Sequence, residues 1–224
     1  MDLEGFKIKR IREITAIDQE KFGKIFTFID FANVNRWFSD DIRDGENNIL
    51  PEDKELGIDL NKLLDFNRCF SVQSGFYYGH DPKNKGSMKF LGKSKYVFGE
   101  KFVFSKPLQQ VKHYLKDIEK AANTRSVAYD LYGDYIYLPK CNFDVEICVD
   151  AIRLMAKYDT FCLWSSDADF VSLIKHLRNN GKKAILIKGG FVQHSLINNS
   201  DLVINAQDIK NYITYIKQKS SLLG

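Results

Sequence analysis

Short apolar runs that end in carboxylates recur along this chain. Residues 24–30, KIFTFID, and residues 160–164, TFCLW, are apolar stretches bounded by polar residues, the pattern of a strand buried on both faces of a parallel sheet. After the second, Phe170, Val171, Leu173, Ile174 and Leu177 recur at helical spacing, and Gly181 with Lys182 and Lys183 closes that helix. Residues 184–187, AILI, then read as another buried strand. This β-α-β unit places Asp167 and Asp169 just past the carboxyl end of a central strand, where open α/β sheets hold their ligands.

The other segments are read from the same periods. Residues 1–21 are charge-rich, and KIKRIREI suits either an edge strand or a short helix. After Asp30 the residues Phe31 to Asn35 lead into a helix that runs through Trp37 and Phe38. Residues 40–60 are polar, with a turn at Gly45 and Pro51, and read as an insertion loop. Residues 61–68 suit a helix and 70–78 a strand. Pro107 suits the first turn of a helix over 107–122. The aromatic stretch 127–138, with Gly133 and Asp134 midway, predicts a hairpin. Helices follow at 143–157, 193–198 and 207–218, with a last strand at 202–204. The expected architecture is a three-layer α/β sandwich around a central, mostly parallel sheet, in one domain spanning 1–224 with an insertion-rich region at about 38–135.

Composition narrows the class only slightly. At 224 residues and 44% hydrophobic, the chain is able to bury one substantial core. There is no apolar run of membrane-spanning length, and MDLEGFKIKR lacks the apolar segment of a signal peptide, so a soluble cytoplasmic protein is expected, with homo-oligomerisation left open. Cys69, Cys141, Cys148 and Cys162 have no C-x-x-C spacing, and Cys148 and Cys162 sit in apolar runs as small core residues. The net charge of +4 is weak, but its distribution is not even. Residues 81–106 carry seven lysines against Asp81 and Glu100, a local net charge of +5, interleaved with Phe90, Tyr96, Phe98, Phe102 and Phe104. Lys83, Lys85, Lys89, Lys93 and Lys95, with Lys140 further on, are the candidate phosphate contacts, the aromatics stacking on unpaired bases. The plainer reading is a solvated helix face over core aromatics. His113, His176 and His194 stand outside any motif.

The chemistry is carried by acids. With Val145 as the zero of a helical wheel at about 100° per residue, Leu154, Ile147, Ala151, Met155, Cys148, Ile152 and Val149 fill a broad apolar arc. Asp144 falls within that arc and Asp150 at the border of the polar side. A carboxylate on a buried side needs a partner, because an unpaired buried charge costs several kcal/mol. Each acid also has a structural explanation. Asp144 suits a helix first turn, Asp150 an ion pair with Arg153, and Asn33 and Asp169 helix caps. Yet carboxylates that converge repel, and three or four together are tolerable when a divalent cation sits among them. All-oxygen ligands without histidine or cysteine suit Mg²⁺ or Mn²⁺, and such a cluster at a sheet edge serves phosphodiester hydrolysis.

Three segments, IDFANVN at 29–35, KCNFDVEICVDAIRL at 140–154 and LWSSDADFVSLIKHLRNNGKKAILI at 163–187, together resemble the NYN domain of the PIN-like ribonuclease group. They match, in order, its hydrophobic-Asp-Gly-x-Asn, Lys-Gly-x-Asp-Val and Ser-Gly-Asp-x-Asp-Phe motifs, over about residues 24–205. The resemblance implies a PIN-like, Rossmannoid fold and metal-dependent hydrolysis of single-stranded RNA. It implies that Asp30, Asp144 and Asp167 hold Mg²⁺ or Mn²⁺, with Asp169 and Asp150 as further acids and Asn33 as a polar positioner. Phe31 and Ser166 stand where the family usually has glycine, and a bulky Phe31 would narrow access to a phosphate.

Two rival functions remain at this level. A non-catalytic RNA-binding or scaffold module would retain the acidic pocket without cutting, and a phosphatase or nucleotide hydrolase would use the same cation on small substrates. A dinucleotide-binding enzyme is disfavoured, since no G-x-G-x-x-G follows the first strand. No Ser-His or Cys-His arrangement suggests a covalent intermediate.

Overall fold

The apolar run that ends in Asp30 is the middle strand of the molecule. In the computed structural model, which describes residues 3–120, 123 and 125–219, α1 (Leu3–Thr15) and α2 (Gln19–Phe22) precede β1 (Ile25–Asp30). There follow α3 (Phe31–Val34), β2 (Lys54–Ile58), α4 (Leu60–Arg68), β3 (Ser71–His80), α5 (Lys85–Phe98) and β4 (Val103–Pro107). The middle of the chain forms β5 (Gln109–Tyr114), α6 (Asp117–Lys120), β6 (Ala128–Asp130) and β7 (Gly133–Lys140). The last third forms α7 (Asp144–Arg153), β8 (Thr160–Trp164), α8 (Val171–Asn179), β9 (Lys183–Lys188), α9 (His194–Asn198), β10 (Leu202–Asn205), α10 (Ala206–Ile213) and β11 (Thr214–Gln218).

Six strands form the central sheet in the order β10-β9-β8-β1-β3-β4, and every ladder in it is parallel. Side chains alternate across it, so each inner strand feeds two cores. Ile25, Ile29, Cys162, Trp164, Ile185 and Ile187 face the core covered by α1, α4, α5 and α10. Phe26, Phe28, Phe161, Leu163, Ala184 and Leu186 face the core covered by α7, α8 and α9. Continuous apolar strands are what a sheet covered on both faces requires. From β1 the chain first builds outward through β3 and β4, then returns to β1's other side as β8 and builds outward through β9 and β10. The connections therefore diverge between β1 and β8, and a crevice opens beyond their carboxyl ends.

Several expectations for the rest are corrected. Residues 7–14 take the helical of their two expected forms, within α1, whereas only one helical turn, α3, follows β1 before the chain bends through turns to residue 40. The polar 40–60 stretch contains β2, which pairs antiparallel with β11. The closing helix accordingly stops at Ile213. Thr214, Tyr215 and Ile216 are β-branched or aromatic, and they gain ladder partners in Ile58, Gly57 and Leu56. Residues 107–122 do not form one helix. Pro107 ends edge strand β4, where its missing N–H costs nothing, and QQVKHY forms β5, paired with β7. Residues 121 and 122 lie outside the described part. The hairpin at 127–138 is present as β6–β7, and with β5 it makes a three-stranded antiparallel sheet.

Candidate metal centre

Three connections converge on the crevice: the turn after β1, the β8–α8 turn and the segment between β7 and α7. Together they line a cleft of about 830 Å³ that includes Asp30, Asn33, Lys140, Asp144, Asp167 and Asp169. Carboxylate oxygens of Asp144, Asp167 and Asp169 lie within 4.8 Å of one another. None of these three acids, nor Asp30, has a lysine or arginine within ion-pair distance among the described residues. Burial, and after it the negative charges of Asp167 and Asp169, pushes the Asp144 carboxyl above the usual range.

The turn after β8 is built to present its acids. Asp167 caps the following 3-10 turn, accepting the Asp169 N–H at 3.0 Å. The cap is therefore Asp167, in place of the expected Asp169, whose own side chain is exposed. Ser165 is fully buried; its Oγ donates to Asp30 Oδ2 at 3.1 Å and accepts the Asp167 N–H at 3.2 Å. One hydroxyl thus ties the ends of β1 and β8 together. Asp30 is 8% exposed, and burial raises its pKa from 3.8 to about 6 against the lowering effect of the Ser165 hydrogen bond. It borders the same cleft but is not in the close trio.

Asn33 positions backbone. Its Oδ1 accepts the Ser166 N–H at 3.0 Å and the Trp37 Nε1–H at 2.7 Å, so it does not cap α3. Ser166 uses its extra hydroxyl on the neighbouring loop, donating to the Gly189 carbonyl at 2.6 Å and accepting the Gly189 N–H at 3.1 Å. Trp37 stacks on Trp164 with centroids 5.8 Å apart, and a Cβ on Gly189 would lie 2.3 Å from Trp37 Cγ. Glycine is required there by close approach. Phe31 does not obstruct the cleft with its ring, which packs against Phe76 at 4.8 Å and Phe90 at 5.0 Å and is 3% exposed.

Asp150 is placed differently from the other acids. The outer face of α7 carries Val145, 72% exposed, and Val149, while Phe143, Ile147, Asp150 and Ala151 are buried. The apolar arc of the wheel, which takes in Val149 as well as Ile147 and Ala151, is thus displaced from the true packing face. Asp150 is tolerated inside because it accepts from Tyr77 Oη at 2.8 Å and from the Arg153 guanidinium at 2.7 Å. Burial, and then Asp150, drives the Tyr77 phenol pKa strongly upward, so it stays a neutral donor. Asp150 does not border the cleft. Tyr77→Phe is expected to cost about 1–3 kcal/mol in urea unfolding, because a buried carboxylate loses a donor; an unchanged midpoint would remove the pair from the structural account.

Of the expected basic contacts, Lys140 borders the cleft, and Lys83, Lys85, Lys89, Lys93 and Lys95 do not. Lys83 and Lys85 lie just beyond the carboxyl end of β3, on the cleft's edge of the sheet, while α5 carries the others up to about 15 Å away along its axis. Lys95 is paired with Glu100 at 3.2 Å. Sequence reading missed Arg36, Tyr78, Asn142 and Gly190, which also line the cleft. Arg36 stands six residues after Asp30, and a cation that close to a strand-ending acid was the available signal.

The model of one family, the NYN domain, matches residues 24–209. No curated protein matches the chain significantly. Among solved structures, a protein of unknown function, VPA0982, from Vibrio parahaemolyticus RIMD 2210633 is similar with a TM-score of 0.55 at 19% identity, covering 89% of this chain and 100% of that one. At that identity the likeness is one of fold. No helix among the described residues is long and apolar enough to cross a membrane.

Proposed function

The chain belongs to the NYN domain family of the PIN-like superfamily, and from that premise we propose that it is a metal-dependent nuclease hydrolysing phosphodiester bonds of single-stranded RNA. The observation that carries the reading is the convergence of Asp144, Asp167 and Asp169 within 4.8 Å without a basic partner among the described residues. Donor chemistry fits a hard cation, because the cluster offers carboxylate oxygens alone, and burial, then repulsion from Asp167 and Asp169, lifts the Asp144 pKa. When bound, Mg²⁺ or Mn²⁺ would lower the pKa of a water and neutralise phosphate charge.

The chain's own groups divide the remaining work. Asp144, Asp167 and Asp169 supply the ligand oxygens. Asp30, with a pKa of about 6, is suited to accept a proton from the attacking water near neutral pH. Ser165 fixes the Asp30 carboxyl, and Asn33 fixes the backbone that carries Asp167. Asp150 serves by seating α7, and so Asp144, against the sheet. Arg36 and Lys140 at the rim hold the phosphates on either side of the cut, and Lys83, Lys85, Lys89, Lys93 and Lys95 attract the strand at longer range.

A cleavage assay on matched single-stranded RNA and DNA, with EDTA and with added Mg²⁺ or Mn²⁺, tests the proposal. Cation-dependent cutting of RNA is the expected result. RNA affinity that survives EDTA with no cutting under any condition would instead make the chain a binding module, and turnover of free nucleotides alone would make it a nucleotide hydrolase. The lysines have a separate signature. Replacing Lys85, Lys89 and Lys93 by serine should flatten the slope of log affinity against log salt by about 0.7 for each phosphate that is no longer neutralised; an unchanged slope would return them to the role of a solvated face.

A further inference from the structure

We infer that the three-stranded sheet β5–β7–β6 is a stacking platform for the bases of single-stranded nucleic acid, continuous with the acidic cleft; the inference rests on the nuclease reading of that cleft. Residues opposite each other in a ladder share a face, and the register pairs Gln110 with Pro139, Lys112 with Tyr137 and Tyr114 with Tyr135. These six residues therefore lie on one side. The other side is the one with structural work to do. Ile136 is buried there at 7%, His113 bonds Glu119 of α6, and Asp134 pairs with Lys120 of α6.

The tyrosine side is left open. Tyr137 is 49% exposed and Tyr132, at the hairpin turn, 84%. The rings form one row, with centroids 5.6 Å apart for Tyr137 and Tyr135, 5.8 Å for Tyr135 and Tyr114, and 6.3 Å for Tyr114 and Tyr132. The opposite side seats Ile136 and α6 but leaves Val111 and Tyr129 exposed as well, so it is the continuous row of rings, and not exposure alone, that sets the tyrosine side apart. Cations accompany it: the Arg125 guanidinium donates to the Tyr137 carbonyl, and Lys112 Nζ sits 4.2 Å from the Tyr135 ring centroid while paired at 2.8 Å with Asp130, which also accepts from the Tyr114 hydroxyl.

Position decides the occupant. Same-side neighbours on a strand are about 7 Å apart, and the row Tyr135, Tyr137, Pro139 ends in the cleft, whose lining includes Pro139 and Lys140. A strand whose phosphodiester reaches the acidic trio has its flanking nucleotides carried out along β7. Aromatic faces stack on any unpaired base, and nearby cations meet the phosphates; a duplex keeps its base faces covered.

The test is fluorescence anisotropy with a labelled oligoadenylate in EDTA, comparing wild type, Tyr132→Ala/Tyr137→Ala and Tyr132→Phe/Tyr137→Phe, with a cleavage assay alongside. The alanine pair should weaken binding roughly tenfold or more, since each stack is worth about 5- to 150-fold, and the phenylalanine pair should retain near wild-type affinity. Single Tyr132→Ala, at the most exposed ring of the row, keeps the test valid if the double variant unfolds, with a loss of roughly fivefold or more expected. Unchanged affinity in the alanine variants, or an equal loss with duplex RNA, overturns the platform and leaves the cleft reading standing. A wild type that neither binds nor cuts the oligonucleotide overturns both.

Discussion

Asp144→Asn and Asp167→Asn should each lower the rate of RNA cleavage by about a hundredfold or more at fixed Mn²⁺, with the fold intact. Removing groups that merely orient metal ligands commonly costs 10- to 100-fold in affinity or activity, so loss of a ligand oxygen belongs at or above the upper end. Asparagine keeps the shape of aspartate and removes the charge. At Asp167 its side-chain carbonyl can still cap the Asp169 N–H. The circular dichroism spectrum should therefore match that of wild type. Either variant retaining more than about a tenth of the activity would mean that the trio is not where the cation acts.

Asp30→Asn should do something less expected: abolish or sharply reduce cutting while making the protein more stable at neutral pH. The folded pKa is raised from 3.8 to about 6, chiefly by burial. Between those values the native state holds the proton more tightly than the unfolded chain does, so wild-type stability falls as pH rises through that window. The cost reaches up to about 3 kcal/mol once the group is ionised. Asparagine does not titrate, and its carbonyl can still accept the Ser165 hydroxyl. In EDTA, urea unfolding should place the two proteins close together near pH 3.5 and the variant ahead above pH 7. A difference independent of pH would show that Asp30 is not a buried, strained acid. A functional carboxylate held against its own solvation is a common origin of such a trade between stability and activity.

The strands that carry the acids were legible because a sheet covered on both faces demands unbroken apolar runs, and the acids end those runs. Asp30, Asp167 and Asp169 were found this way and Asp144 on the wheel of the 143–157 helix, and the four share one cleft. The orientation of α7 was not legible. A helix wheel counts Asp150 as polar and Val145 as apolar, but Tyr77, seventy-three residues away, supplies the hydrogen bond that lets Asp150 point inward. Nothing within the helix encodes that partner. The strands β2, β5 and β11 were missed for a related reason. Each is short and has one exposed side, and its ladder partner lies far away in sequence, as with Lys54 and Gln218. Local propensity at 107–122 favoured a helix through Pro107, and pairing with β7 overrode it. The tyrosine row was visible as a hairpin but not as one exposed surface, because only the register brings Tyr114 beside Tyr135.

The most direct measurement is calorimetric titration of Mn²⁺ into the wild-type protein and into the Asp144→Asn/Asp167→Asn double variant, with thermal unfolding at saturating ion. Wild type should bind the ion and unfold at a higher temperature in its presence, as any ligand specific to the folded state requires, and the double variant should do neither. Equal binding by both proteins, or no binding by wild type, would contradict the claim that these carboxylates come together to hold a cation.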